Sequence, residues 1–476
     1  MLGNHCSYCK LAAVMLVLLL ISCHTMMAQS SEVKTRVFTL EEAVDFALKN
    51  YPTVRASVER ADSAKASVGL AQTSYLPRAD MLWQGNRATR NNIFGLLLPQ
   101  PVIPSVSGPV LATTSNQGVW GSAAGLLFSW EPFDFGYRRG EVNAARATHG
   151  RASAEVVLTR LDVAVAIINA YLTLAAAEQT VRAAEADVDR REIVAKSVHV
   201  LVDNQLRPGA DASRADAELA RSKANLARAH QQQEISRAAL ADILGIADSR
   251  VEVETSVFAK LPPGTPEPSP AISAHPLAEV QRARVQEIRS QVHILDRAYY
   301  PRFNFQSAVY GRGSGANTDG SFAGGTNGLG LDRSNWAAGL TVTFPLMDIF
   351  AIRSKKGIEE ANERAEAARY DQTLQDLTGQ FRKAQASLEG ARHVAENTPV
   401  ELEAARTTET QERARYQAGL ATLVDISDAQ SLLVQADADD ALARLAVWQN
   451  LAAVAASQGD LQPFLQFFHD KTQGGP

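Results

Sequence analysis

Apolar positions in this chain follow two periodicities, and each occurs twice. Alternation with period two marks strands, because successive side chains leave a strand on opposite faces. Trp336, Ala338, Leu340, Val342 and Phe344 share one face of such a run, against Ala337, Gly339, Thr341 and Thr343 on the other. Ala124, Leu126, Phe128 and Trp130 alternate likewise, and Phe303 and Phe305 face away from Asn304 and Gln306. The second periodicity has spacings of four and three. It runs through Val157, Leu161, Ala164, Ile168, Tyr171 and Ala175 and predicts a coiled-coil seam. Glu178 breaks that register, and Leu174, Ala177, Val181, Ala184 and Val188 continue it from a neighbouring stripe. Between Gly136 and Leu201 there is no proline and hardly a glycine, so a helix of ~100 Å is expected at 1.5 Å per residue. Globular helices average about three turns. Helices of this length support one another laterally, as walls.

The chain is written twice. Tyr51-Pro52 opens a helical stretch that ends at Tyr75-Leu76-Pro77-Arg78, and His275-Pro276 opens another that ends at Tyr299-Tyr300-Pro301-Arg302, an offset of 224 (Pro52 to Pro276). Trp130-Glu131-Pro132-Phe133-Asp134 is echoed by Phe344-Pro345-Leu346-Met347-Asp348, and Asp211 with Ala215 by Asp425 with Ala429, both at an offset of 214. An ordered series whose offset changes once predicts two homologous halves, the first with extra residues between Pro77 and Asp134. The expected organisation is a signal peptide (1–23, or to 28), a lead-in (24–37), a first repeat (38–258), a proline-rich linker (259–275), a second repeat (276–461) and a tail without periodicity (462–476). Each repeat holds a short helix, a β-hairpin (about 78–130; about 302–345) and a pair of long helices (about 136–245; about 349–457). The fold class is therefore mainly α with a four-strand contribution. Half-apolar, half-polar strands suit either a soluble sandwich or a lipid-facing barrel, and aromatics near the strand ends favour the barrel. Four strands cannot close a barrel alone, so these hairpins require oligomerisation.

Composition narrows the chemistry. Cys6, Cys9 and Cys23 are the only cysteines, so the rest of the chain has no disulfide and no thiolate metal site. Lys10 and the apolar run Leu11 to Ile21 form a secretory leader. Leu20-Ile21-Ser22-Cys23 resembles a lipobox, which would make Cys23 an acylated first residue; cleavage after Ala28 is the competing reading. No later stretch reads as a transmembrane helix, so a crossing would be made by strands. Net charge is −5 with no basic run, which argues against nucleic acid. The histidines are scattered, no metal or other cofactor is expected, and Gly311-Arg312-Gly313-Ser314-Gly315 reads as a flexible turn without the lysine of a phosphate loop. An enzyme is not expected. Ile93-Phe94-Gly95-Leu96-Leu97-Leu98-Pro99 is an unusually apolar loop.

Several segments carry a resemblance to the TolC-like outer-membrane factor (outer membrane efflux protein) family: Phe38-Thr39-Leu40-Glu41-Glu42-Ala43, Ser74-Tyr75-Leu76-Pro77, Ser129 to Gly136, Phe344 to Asp348, and Tyr416-Gln417-Ala418-Gly419-Leu420 followed by Val424 to Ala429. The resemblance covers nearly the whole chain from Phe38. It implies a homotrimer with a twelve-stranded barrel in outer-membrane lipid and a tunnel of twelve long helices reaching into the periplasm. It also implies helix tips that dock a periplasmic adaptor (membrane fusion) protein and, through it, an inner-membrane RND or ABC-type pump. The implied function is an exit channel for efflux or type I secretion.

Within that frame the tip turns, Asn204 to Asp211 and Tyr416 to Asp425, hold a gate. Gly209 and Gly419 permit tight turns, and Pro208 stops the incoming helix. Asp211 and Asp425 begin the returning helices, where capping is the plain reading. Asp425 and Asp428 share a helical face, and the resemblance makes them stacked carboxylate rings at a closed entrance. It also implies a hydrogen bond from Tyr416 to Asp211. Ala421 stands where some relatives carry a latching arginine, for which Arg207 or Arg214 would substitute. Asn304, Gln306 and Thr341 are the expected polar lumen. A secreted coiled-coil scaffold or adhesin without a conducting lumen shares the leader and the seams, but has no need of two matched hairpins.

Overall fold

The structure is a computed structural model that describes residues 35–89, 116–262, 272–317, 321–322 and 324–469. The leader with Cys23, the Ile93 to Pro99 loop and most of the linker lie outside the described residues. The elements are β1 (Thr35–Phe38), α1 (Leu40–Asn50), α2 (Pro52–Thr73), β2 (Arg78–Thr89), β3 (Gly118–Phe133), α3 (Tyr137–Asp203), α4 (Gly209–Leu244), β4 (Arg250–Val253), α5 (Pro276–Arg297), β5 (Arg302–Ser314), β6 (Arg333–Thr343), α6 (Asp348–Gln417), α7 (Leu423–Gln458) and α8 (Gln462–His469).

The two hairpins join into one antiparallel sheet, ordered β2-β3-β5-β6. Register then sorts the side chains by face. Met81, Leu126, Val309 and Trp336 are direct partners across all four strands. Their exposures are 82%, 60%, 64% and 79%, so an apolar row points away from the protein. Six residues further along β5, about 20 Å at 3.3 Å per residue, Phe303 lies between Phe133 and Val342 on the same face. The opposite face is largely polar or small, with Asn304 opposite Thr341 and Gln306 opposite Gly339, and with Leu82, Leu127 and Tyr310 as its larger members. An exposed apolar face is costly in water and favoured in lipid.

The Gly311–Gly315 stretch is not a turn between strands. Gly311 to Ser314 belong to β5, and a Cβ on Gly313 would lie 1.7 Å from the carbonyl oxygen of Gly330. The glycines therefore let the segment around 327–331 cross directly over the strand, where the Ser122 hydroxyl donates to the Gly330 carbonyl at 3.1 Å.

Below the sheet run the long helices, 67 residues in α3 and 70 in α6. The seam is buried at Ala164, Ile168, Tyr171 and Ala175, but Val157 is 54% exposed. One stretch of α3 is long and apolar enough to cross a membrane by length and composition. The expectation of no such stretch was too strict. The apolarity reflects the alanine- and β-branched-rich segment of α3 that packs into the largest core cluster, against α1 and α7.

Three short elements brace that cluster. Residues 35–37, expected as a polar lead-in, belong to β1, which pairs in parallel with β4. Tyr171 is buried against this clasp, donating to the Phe38 and Glu254 carbonyls at 2.9 and 3.1 Å. Residues 462–469 of the supposed tail form helix α8, and Phe464 and Phe468 pack on Trp448. At the same level α7 ends against the start of α5. Leu277 N–H donates to Nδ1 of His275, so Nε2 carries the proton and donates to the Ala456 carbonyl at 3.2 Å. One neutral ring thereby caps both abutting helix ends.

Candidate gate and lumen

At the far end, both helical hairpins turn by the same device. Leu206 N–H bonds the Leu201 carbonyl and Gln205 N–H the Val202 carbonyl; Leu420 bonds Arg415 and Gly419 bonds Tyr416 in the same pattern. The pattern is a Schellman turn, which needs one residue with positive φ. In the second half that residue is Gly419, at φ 76°, as expected. In the first it is Gln205, at φ 60°, rather than Gly209, which is the first residue of α4. Pro208 does not stop α3, which ends at Asp203; it occupies the cap position of α4, where its missing N–H costs nothing. Asp211 and Asp425 each lie three residues after a cap, Pro208 and Thr422. Thr422 and Asp425 form a reciprocal capping box in which Asp425 accepts from Thr422 N–H at 2.7 Å. That backbone hydrogen bond, with the Thr422 hydroxyl, holds the Asp425 carboxyl below the usual carboxylate range.

The two turns meet through an aromatic ring. Tyr416 is 4% exposed, among Val198, Ala215, Leu423 and Ile426. The Arg207 guanidinium lies over that ring at 4.8 Å and reaches the Ala421 carbonyl at 3.4 Å. Burial pushes the phenol up, and the nearby Asp211 adds to this while Arg207 opposes it. The expected Tyr416–Asp211 hydrogen bond is not made: the hydroxyl is buried without a hydrogen-bond partner among the described residues. Arg207 is the counterpart of Ala421 at the repeat offset of 214, so the cation missing from the second turn is supplied by the first. Asp425 and Asp428 are both exposed, beside Leu420 and Val424, on the surface of the tip.

Four turns above the tip lies a cluster that sequence reasoning missed. Arg191, 9% exposed, pairs with Asp187 on α3 at 3.0 Å and with Glu218 on α4 at 3.1 Å. Its remaining nitrogen donates to the Ser431 hydroxyl on α7 at 3.0 Å, and Ser222 donates to Asp187 at 2.6 Å. Two carboxylates fix the guanidinium to the first coiled coil, while one neutral hydroxyl ties it to the second. The Asp187-Arg191 spacing was the available signal, since an i,i+4 pair beside a seam marks ions able to bridge helices.

Of the lumen candidates, Asn304, Gln306 and Thr341 share the polar face of the sheet. A hollow of about 400 Å³ at its lower rim brings Asn304 and Gln306 together with Tyr137, Glu141 and Arg302. At the β3–α3 junction Asp134 accepts from the Arg138 backbone and Nε, both at 2.8 Å, and Arg138 lies over the Tyr75 ring at 5.1 Å. This interlock accounts for the Trp-Glu-Pro-Phe-Asp-Phe-Gly motif.

Outer membrane efflux proteins, as a family, match residues 43–246 and 268–460. The chain belongs to the outer membrane efflux protein family. Protein CyaE of Bordetella pertussis is 25% identical to it over 438 residues, covering 89% of this chain and 84% of CyaE. The pyoverdine export outer membrane protein OpmQ of Pseudomonas aeruginosa is 22% identical over 423 residues, covering 88% of this chain and 83% of OpmQ. In fold, this efflux protein matches the outer membrane protein VceC of Vibrio cholerae with a TM-score of 0.69 at 20% identity, over 88% of this chain and 96% of VceC. The efflux protein is thus an outer-membrane export channel that extends into the periplasm, with the fold of a channel rather than of an enzyme.

Proposed function

We propose that the efflux protein is one third of a passive trimeric exit duct, driven by an inner-membrane pump through a periplasmic adaptor. The carrying observation is the four-stranded sheet, whose edges β2 and β6 are open among the described residues, with an exposed apolar face. An open edge must be paired or covered, and a threefold repeat of this sheet gives a closed twelve-stranded barrel. Asn304, Gln306 and Thr341 then line the water-filled side. The same symmetry gathers Asp425 and Asp428 into rings of three carboxylates at the tip. Rings of like charge repel one another and attract cations, which makes a constriction sensitive to partner binding. Arg207 on Tyr416 holds the two helical hairpins together in the closed state, and adaptor docking at the tips releases it. Purified protein in a planar bilayer tests the reading. A trimer with discrete ion-conducting steps is expected, and a monomer or a non-conducting trimer under conditions where a relative conducts would refute it.

A further inference from the structure

A groove of about 850 Å³ runs between the start of α3 and the end of α5, on the side of α3 turned away from the hollow at the polar rim of the sheet. Two observations fix its side. On α3 the lining residues Gly136, Arg139, Gly140, Asn143, Arg146 and Gly150 fall within about 120° of the helix surface at 3.6 residues per turn. Tyr137 and Glu141, which line the hollow with Asn304 and Gln306, lie on the far side of that helix. The groove also begins at Phe135, whose ring stacks on Tyr300 at 5.0 Å and meets Phe303 of the exposed apolar face at 6.2 Å.

Charge in the groove is unbalanced. Arg139 and Arg297 are exposed, with no carboxylate within 4.0 Å among the described residues, and Arg146 donates only to the neutral Asn143 amide. The single acid, Asp296, is engaged by Lys356 at 2.6 Å and by His293 at 3.7 Å. The depth is also specific. Arg139 lies three residues past Gly136, about 5 Å along the helix axis, and Arg297 is the last residue of α5, just before β5. A headgroup layer is about 5–8 Å deep, and aromatic rings such as Phe133, Phe135, Tyr300 and Phe303 mark its border with the hydrocarbon.

We propose that this groove binds the phosphate-bearing headgroup of an anionic phospholipid in the periplasmic leaflet, with Arg139 and Arg297 as its phosphate ligands. The inference rests on the outer-membrane barrel but not on the tip gate. The test uses the purified protein in phosphatidylcholine vesicles carrying spin-labelled phosphatidylglycerol or spin-labelled phosphatidylcholine. The immobilised fraction is expected to favour phosphatidylglycerol. In Arg139→Gln with Arg297→Gln that preference falls by up to about 30-fold, or about 2 kcal/mol at 1.4 kcal/mol per decade; Arg139→Lys with Arg297→Lys keeps most of it. Equal immobilisation of both lipids by the unmodified protein overturns the proposal even where the glutamine variant does not fold. So does binding of inorganic phosphate to the unmodified protein in phosphatidylcholine vesicles where the two lipids are immobilised equally, which would make the ligand a free anion. Single-channel conductance of the glutamine variant is expected to match the parent; a changed conductance would put the groove on the lumen side and refute the lipid site while leaving the duct standing.

Discussion

Replacing Arg207 with glutamine isolates the contact that joins the two helical turns. The guanidinium is 4.8 Å from the Tyr416 centroid, and the ring it covers is almost wholly buried. A cation over an aromatic ring contributes about 0.5–1 kcal/mol in water and about 2 kcal/mol when desolvated, so this half-buried contact is assigned about 1–2 kcal/mol. Its 3.4 Å contact with the Ala421 carbonyl is long and adds little. In the proposed trimer, three such latches opening together give about 3–6 kcal/mol, which raises the open-to-closed ratio by roughly two to four decades. The assay is resting open probability in planar bilayers, with circular dichroism confirming the helical fold. Arg207→Lys, which keeps the charge but loses flat stacking, is expected to fall in between. An Arg207→Gln channel as closed as its parent, with fold intact, would show that the contact is equally present in both states, and the latch argument would fail.

Three further outcomes follow from the same geometry. Asp425→Asn with Asp428→Asn keeps an acceptor for Thr422 N–H but removes the charge; resting conductance should rise or divalent block weaken, and no change in either would dismiss the carboxylate rings. Arg191→Met strands Asp187 in the interior and should lower stability by about 3–5 kcal/mol, whereas Ser431→Ala removes one hydrogen bond from the guanidinium to an uncharged hydroxyl, worth about 1.5–3 kcal/mol; a Ser431→Ala loss as large as that of Arg191→Met would contradict the assigned asymmetry. For His275, burial pushes the imidazole pKa down, against the Ala456 carbonyl and Asp162, which push it up. The unfolded chain therefore binds the extra proton, so the stabilisation is complete above about pH 6.5 and fades as pH falls below it. Asp162 on α3 and Lys383 on α6 are the charged groups that share its pocket, and Asp162, raised by burial, acts in the opposite sense at more acid pH. Melting between about pH 7.5 and 5.5 should be flatter in His275→Gln than in the parent, and parallel curves would rule the ring out.

The parts of the molecule legible in sequence were those written in periodicity. Alternation around Trp336 and Leu340 gave the faces of the sheet, and the spacing from Leu161 to Ala175 gave the seam, because both depend on local geometry alone. Turn chemistry was less legible. Gln205 adopts the left-handed conformation that Gly209 was expected to supply, since the hairpin needs one such residue and a polar side chain at an exposed tip tolerates it. The glycines at 311–315 were mistaken for a turn because their cause, a backbone crossing from 327–331, is distant in sequence. The pairing of β1 with β4 was hidden likewise: each strand is four residues long, and their partnership spans the whole first repeat. At the tip, the repeat offset already aligned Arg207 with Ala421. What sequence did not disclose is that the exchanged cation would stack on the Tyr416 ring.

The open sheet carries a cost before assembly. A newly exported protomer bears two strand edges, β2 and β6, with unpaired amides and carbonyls, flanked by Trp83 at 73% and Trp336 at 79% exposure. Such edges accept any strand of suitable register, including one from a misaligned sibling. Ring closure and insertion into lipid therefore have to outpace random pairing. Overproduction that crowds the periplasm is expected to yield β-rich aggregates rather than surplus channels.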